Sequence, residues 1–303
     1  MNIIRHQNFI WVDIKNPIDE DMEWLKRNFN LHPLVLKELL PPLDYPKVEN
    51  FGDYLFIVLF YPFFDKETFQ TIPFELDIIV SKDYLISSHH KDIVPLKAIF
   101  DQCNIYEEGR EEYFKDGPGL LLFKLIQEVF KASFPKLSHI KENVSAIEEA
   151  VFRGKYRETM NNISLVERDI IGFERIIEPQ KLAIMSLTKE VKIFFNKKTL
   201  PYFHTLENLY DQVQNMLKTQ HKILKALKTT NESLLANRTN EIMKILTIFS
   251  VVVLPLTLIA SIFGMNTNYL PFWDKANDFF IVLLIMAAVG AAMLLFFRGK
   301  KWL

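Results

Sequence analysis

Eight residues towards the C-terminal end of the chain share a spacing that could do chemistry. Asn240, Met243, Thr247, Ser250, Leu254, Thr257, Ser261 and Gly264 follow one another at intervals of 3, 4, 3, 4, 3, 4 and 3. That alternation places all eight on one face of a helix. The face is mostly small or hydroxylated, with an amide at its first position. Thr247, Ser250, Thr257 and Ser261 lie in a stretch without charge and offer neutral oxygens to water or to a hydrated ion. The same residue types also pack helices together inside a membrane. The spacing alone supports both readings, a packing seam and a water-lined path.

The elements that must position this face are apolar. Ile245 to Phe263 and Phe279 to Phe297 are each 19 residues without a charge. Each gives about 28 Å of helix, close to the ~30 Å hydrocarbon core of a bilayer. Soluble helices need a polar face, and the second run, FFIVLLIMAAVGAAMLLFF, has none. The two runs therefore read as membrane spans. Between them, residues 264–278 form a short connection with Pro271, Trp273 and three charges. Lys244 precedes the first span, and Arg298, Lys300 and Lys301 follow the second. Basic flanks prefer the cytoplasm. The expected placement is a plasma (inner) membrane, with both termini and the body cytoplasmic and the 264–278 loop outside. No signal peptide is expected, because Met1 to Ile10 contains Arg5, His6 and Gln7 and no apolar core.

Composition agrees with a soluble body on an apolar tail. The 303 residues carry 36 basic and 37 acidic side chains, a net charge of −1. Residues 1–240 account for 31 basic and 34 acidic residues, so the body is net −3. No basic surplus points to nucleic acid. One cysteine, Cys103, excludes an intrachain disulfide framework and a cysteine-cluster zinc site. Only 9 glycines and no Walker motif argue against a nucleotide-driven machine. There is no HExxH and no nucleophile–base pair, so no enzyme is expected. His89 and His90 lack a third metal ligand at helical or hairpin spacing, and His204 and His221 are equally unpersuasive.

The body begins as an α/β domain with a mixed sheet. Phe51–Pro62 and Phe74–His89 read as strands, the second a hairpin turning near Ser81-Lys82-Asp83. Glu20–Phe29 and Pro95–Cys103 read as helices. From Pro118 strand signals disappear, and Gly119–Phe152, Tyr156–Phe195 and Tyr202 onward are helical, with Pro179 interrupting the second. No glycine occurs between Phe173 and Phe263, and only Pro255 breaks the pattern after Tyr202. One helix of about 60 residues, roughly 90 Å, is expected to run from the body into the first span. The acids Glu148, Glu149, Glu158, Glu167, Asp169, Glu174 and Glu178 are interleaved with Lys and Arg and read mainly as solvated faces.

With these features in place, the sequence resembles the CorA family of magnesium transporters. The resemblance rests on Gly264-Met265-Asn266 at the end of the first span, with Phe263 before it. It extends to Asn240-Glu241-Ile242-Met243-Lys244-Ile245-Leu246-Thr247, to Pro255-Leu256-Thr257-Leu258-Ile259-Ala260, and to the basic end Lys300-Lys301-Trp302. It implies an α+β membrane protein assembled as a homopentameric funnel. Its parts would be a cytoplasmic α/β domain (1–117), a helical hairpin region (118–200), a stalk helix continuing into the first span (201–263), an external loop (264–278), a second span (279–297) and a basic tail (298–303).

The resemblance further implies Mg²⁺ influx, with Co²⁺ and Ni²⁺ as companions, down the membrane potential and without nucleotide. Lipid, divalent cations and four further copies of the chain would be its partners. Gly264, Met265 and Asn266 would form the selectivity filter, with Asn266 meeting hydrated Mg²⁺. Asn240, Met243, Thr247, Ser250, Thr257 and Ser261 would line the pore, and Met243, Leu246 and Leu254 would form its hydrophobic gate. Regulatory Mg²⁺ would bind Asp65 and an acid on a neighbouring stalk. The expected stalk position, just after Pro201-Tyr202-Phe203, holds Thr205, and the acid usually three residues on is Asn208, so Glu207 or Asp211 would have to substitute. In the outer loop Pro271 is followed by Phe272, where many members carry Glu. Two other readings stand beside this one: a zinc transporter of the ZntB type, and a membrane-anchored scaffold or sensor whose spans are only anchors.

Overall fold

The computed structural model describes residues 1–7, 9–65, 67–68, 70–195, 199–265, 278–300 and 302. They divide into two compact units, Met1–Lys228 and Thr229–Leu303.

The first unit is built on a six-stranded mixed sheet. Its strands are β1 (Asn2–His6), β2 (Phe9–Lys15), β3 (Lys47–Asn50), β4 (Tyr54–Asp65), β5 (Gln70–Ser81) and β6 (Tyr84–His89), in the order β1-β2-β6-β5-β4-β3. Only β2 and β6 run parallel, with Val12 opposite Ile86. β4 and β5 form the long hairpin at its centre, in register from Tyr54–Ser81 to Asp65–Gln70. Both are buried on both faces over much of their length, which is why they read as near-continuous apolar runs. The expected hairpin over 74–89 is present as the β5–β6 pair. The strands β1, β2 and β3 add three members that the sequence reading does not single out.

Helices cover both faces. α1 (Asp19–Asn28) and α2 (Pro33–Glu38) bury Met22, Leu25, Val35 and Leu36 against Val12, Ile14, Phe56, Val58 and Ile79. On the other face lie α3 (Val94–Ile105), α4 (Glu107–Phe114) and α5 (Pro118–Lys131). There Trp11 stands edge-on to Phe100 at 4.9 Å, and Phe9 meets Phe114 at 4.9 Å.

The remaining helices of the body are α6 (Ser133–Phe152), α7 (Tyr156–Ile177) and α8 (Gln180–Phe194). The expected single helix over 119–152 is therefore broken at Ala132. Pro135 explains the break: it has no N–H to give to the carbonyl of residue 131 and belongs in a first turn. Between α6 and α7 the chain reverses at Gly154, whose φ of +82° suits glycine. Its N–H bonds to the Val151 carbonyl and that of Lys155 to Ala150, the paired bonds that close a helix C-terminus. α7 and α8 are separated by Glu178 and Pro179, as Pro179 leads one to expect.

α9 (Leu200–Phe263) is one helix of 64 residues, continuous through Pro255. Its first part belongs to the first unit and its last part to the second. In the second unit it is joined by α10 (Asp278–Gly299). Both α9 and α10 are long and apolar enough to cross a membrane.

Candidate functional site: one face of α9

Within the second unit, the apolar half of α9 has two distinct faces. Lys244, Ile248, Val252, Pro255, Leu256, Ile259 and Phe263 are its less exposed positions, and Ile248 is only 6% exposed. This is the face towards α10: a side chain at Gly290 would lie 3.8 Å from Leu256. Every member of the 3–4 series, from Asn240 to Gly264, is exposed, Leu254 at 69%. At 100° per residue the two sets point about 160° apart. The seam is thus not the surface that packs the two spans of one chain together, and an intramolecular packing role is excluded. Leu246 and Met265 are exposed beside the series.

The hydroxyls on this face have a defined orientation. Thr247, Ser250 and Thr257 donate to the carbonyls of Met243, Leu246 and Val253, at 2.8, 2.9 and 2.9 Å. A hydroxyl whose proton is committed to its own helix presents lone pairs outward. Such a surface accepts hydrogen bonds, and the waters around a cation have only hydrogens to offer. Met243, Leu246 and Leu254 interrupt it with exposed apolar side chains. α9 ends at Phe263, where the Gly264 N–H bonds to Ala260 and that of Met265 to Ile262. Asn266, Pro271, Phe272 and Asp274 lie outside the described residues.

Each of the two regulatory candidates has partners close to it in the chain. Asp65 ends β4 and folds back on its own hairpin turn. One carboxylate oxygen accepts the Glu67 N–H at 3.0 Å and the other the Thr68 hydroxyl at 2.8 Å. These bonds hold its carboxyl below the ordinary value. Glu207 lies on α9, 3.4 Å from His204 one turn earlier. Among the described residues no group of three or more His, Cys, Asp or Glu side chains could hold a metal ion. His89 is engaged elsewhere. Its ring meets Asp13 at 3.5 Å and the Lys91 carbonyl at 2.7 Å, and Ser87 links Asp13 to Trp11.

Three acids read from sequence as solvated carry structural roles instead. Asp169 is buried between Lys136 of α6, at 2.6 Å, and Thr71 of β5, at 2.7 Å. Glu167 and Glu174 reach from α7 to Lys228 and His221 of α9, at 2.8 and 2.9 Å. The interleaved charges gave no signal of this, because each partner lies 33 to 98 positions away in the chain.

Comparison with known proteins places this architecture. A cobalt/magnesium transport protein CorA from Thermotoga maritima is 30% identical over 283 residues, covering 91% of this chain and 78% of the relative. The complete structure of a CorA magnesium transporter from Methanocaldococcus jannaschii superposes with a TM-score of 0.85 at 22% identity, over all of this chain and 95% of that one. The cytoplasmic domain of ZntB from Vibrio parahaemolyticus is more distant, with a TM-score of 0.60 at 16% identity over 77% of this chain and 88% of that one. A family profile described as CorA-like Mg²⁺ transporter protein matches residues 6–301. Two apolar helices preceded by a mixed-sheet body, a long helix joining the two units, and a match over nearly the whole length lead to one conclusion: the chain belongs to the CorA-like Mg²⁺ transporter family.

Proposed function

We propose that the chain is one subunit of a homopentameric channel that carries divalent cations, Mg²⁺ foremost and Co²⁺ and Ni²⁺ with it, into the cell. The observation that supports this most is the exposed, hydroxyl-bearing face of α9, opposite the face that meets α10. Two helices cannot enclose a path, so a path along this face requires a ring of copies. In that ring Asn240, Met243, Thr247, Ser250, Thr257 and Ser261 line the pore. Met243, Leu246 and Leu254 close it by dewetting. Gly264, Met265 and Asn266 form the filter at the outer mouth. Mg²⁺ dehydrates reluctantly, so neutral oxygens that bond to its water shell suit it better than carboxylates that would hold it. The membrane potential contributes ~2.3 kcal/mol per charge per 100 mV, about twice that for a divalent ion, which drives influx without nucleotide.

The basic residues flanking the spans favour a plasma-membrane orientation with both termini in the cytoplasm. Regulation by intracellular Mg²⁺ through Asp65 and Glu207 requires a neighbouring subunit to supply further ligands, since the described residues of one chain form no metal cluster. The zinc reading rests on the more distant ZntB likeness, and the intact Gly264-Met265-Asn266 favours magnesium. Flux into proteoliposomes separates the two. Mg²⁺ entry driven by a negative interior potential, indifferent to a proton gradient, is expected. Zn²⁺ entry that needs the proton gradient, with no Mg²⁺ entry, overturns the proposal.

A further inference from the structure

The body contains a groove that cation conduction does not use. Arg168, Gly172 and Arg175 lie on one stripe of α7, spaced 4 and 3. A methyl group at Gly172 would sit 3.1 Å from the Thr71 carbonyl oxygen, so α7 presses directly on β5 at that point. Around this contact is a groove of about 410 Å³, within the ~300–1,000 Å³ usual for small-ligand sites. Phe60, Ile72 and Pro46 give it an apolar wall, Arg168 and Arg175 give it two guanidiniums, and Asp44 is its one acid.

The arginines are not neutralised by their surroundings. Among the described residues neither forms an ion pair, and Arg168 donates to the Thr68 carbonyl at 3.2 Å. The acids closest in sequence are committed elsewhere: Asp169 to Lys136 and Thr71, and Glu174 to His221. Glu75, also on β5, takes the Leu43 N–H on both its oxygens. Seven residues of helix separate the two Arg Cα atoms by ~10 Å, a span that two long side chains can close onto one chain of phosphates. Guanidinium forks match phosphate oxygens in pairs.

We propose that this groove binds a soluble organic phosphate of the nucleotide class. Arg168 and Arg175 hold the phosphates, the Phe60–Ile72–Pro46 wall takes the flat ring, and Asp44 accepts from a ring amino group or a sugar hydroxyl. The site lies wholly in the first unit and stands independently of the conduction reading. Calorimetry on the full-length protein in detergent, in EDTA so that no metal bridges the ligand, tests it with ATP, AMP, adenosine and inorganic phosphate.

Saturable binding of ATP, weaker binding of AMP and none of adenosine are expected. Arg168→Gln and Arg175→Gln should each weaken ATP about tenfold or more, with circular dichroism and elution volume unchanged. Arg175→Lys, which keeps the charge and loses the fork, should fall between. Absence of saturable ATP binding to the parent protein, or equal binding by all three variants, overturns the proposal. So does a change in elution volume of both glutamine variants without ATP binding, which would assign the groove to contact with a neighbouring copy.

Discussion

Replacing Lys136 with methionine should destabilise the body more than any exposed charge could. The Lys136 ammonium lies 2.6 Å from Asp169 and 3.3 Å above the centre of the Phe64 ring, and the two side chains of the pair are 11% and 9% exposed. At that separation and an effective dielectric of about 20, the attraction is ~6 kcal/mol. Desolvation offsets much of it, and burial lowers the Lys136 pKa although the Asp169 hydrogen bond opposes the shift. Removing the lysine leaves the desolvation of Asp169 uncompensated, a cost of about 3–5 kcal/mol. Asp169→Asn should cost a similar amount, about 3–5 kcal/mol, because it leaves the buried ammonium without its anion and its single amide oxygen cannot accept from both Thr71 and Lys136. The double variant should be more stable than Lys136→Met alone, since it buries no unpaired carboxylate. Denaturant titration of the detergent-solubilised protein, followed by fluorescence of the buried Trp11, measures all three. A Lys136→Met protein within 1 kcal/mol of the parent would refute the reasoning, as would strictly additive losses in the double variant.

Two further outcomes follow from side chains fixed by the fold. Gln180 accepts the Phe60 N–H at 3.1 Å and donates to the Phe60 carbonyl at 2.8 Å, completing the edge of β4 where β3 has ended. Gln180→Leu strands both buried groups and should lower stability by about 2–4 kcal/mol in the same titration. For His89, burial opposes the charged form, but the Asp13 hydrogen bond, the Asp13 charge and the Lys91 carbonyl outweigh it and raise the pKa above 6.5. Its stabilisation is therefore whole below the unfolded value near 6.5 and is lost as pH rises through the raised folded value. Asp13→Asn should flatten that fall, and stability that climbs with pH across the same window would contradict the assignment.

Much of the second unit was legible because membranes allow few solutions. The charge-free runs and the absence of glycine from Phe173 to Phe263 indicate a long helix, and the 3–4 series marks one continuous face along it. The central strands were legible because burial on both faces leaves continuous apolar runs. The break at Ala132 was missed because the helical period runs through it, although Pro135 marks it. Lys136 with Asp169, and Arg168 and Arg175 over β5, were not legible. Charged residues interleaved on a helix look alike whether they face water or a strand that folds against them from far away in sequence. Which face of α9 meets α10 was likewise invisible in the series itself, since hydroxyl residues serve packing and solvation equally.

The central claim is that the Asn240–Gly264 face of α9 lines the conduction path. Cysteine scanning tests it most directly. The native Cys103 is buried and its thiol is pushed up to about 12, so introduced cysteines alone should react with a water-soluble thiosulfonate. Mg²⁺ flux into proteoliposomes is then measured before and after labelling, for cysteines at Thr247, Ser250, Leu254 and Thr257 and at Ile248, Val252 and Ile259. The account predicts that labelling blocks flux at the first four positions and leaves it unchanged at the last three. Block at Ile248, Val252 and Ile259, with free flux at Ser250 and Thr257 labelled to completion, would contradict it.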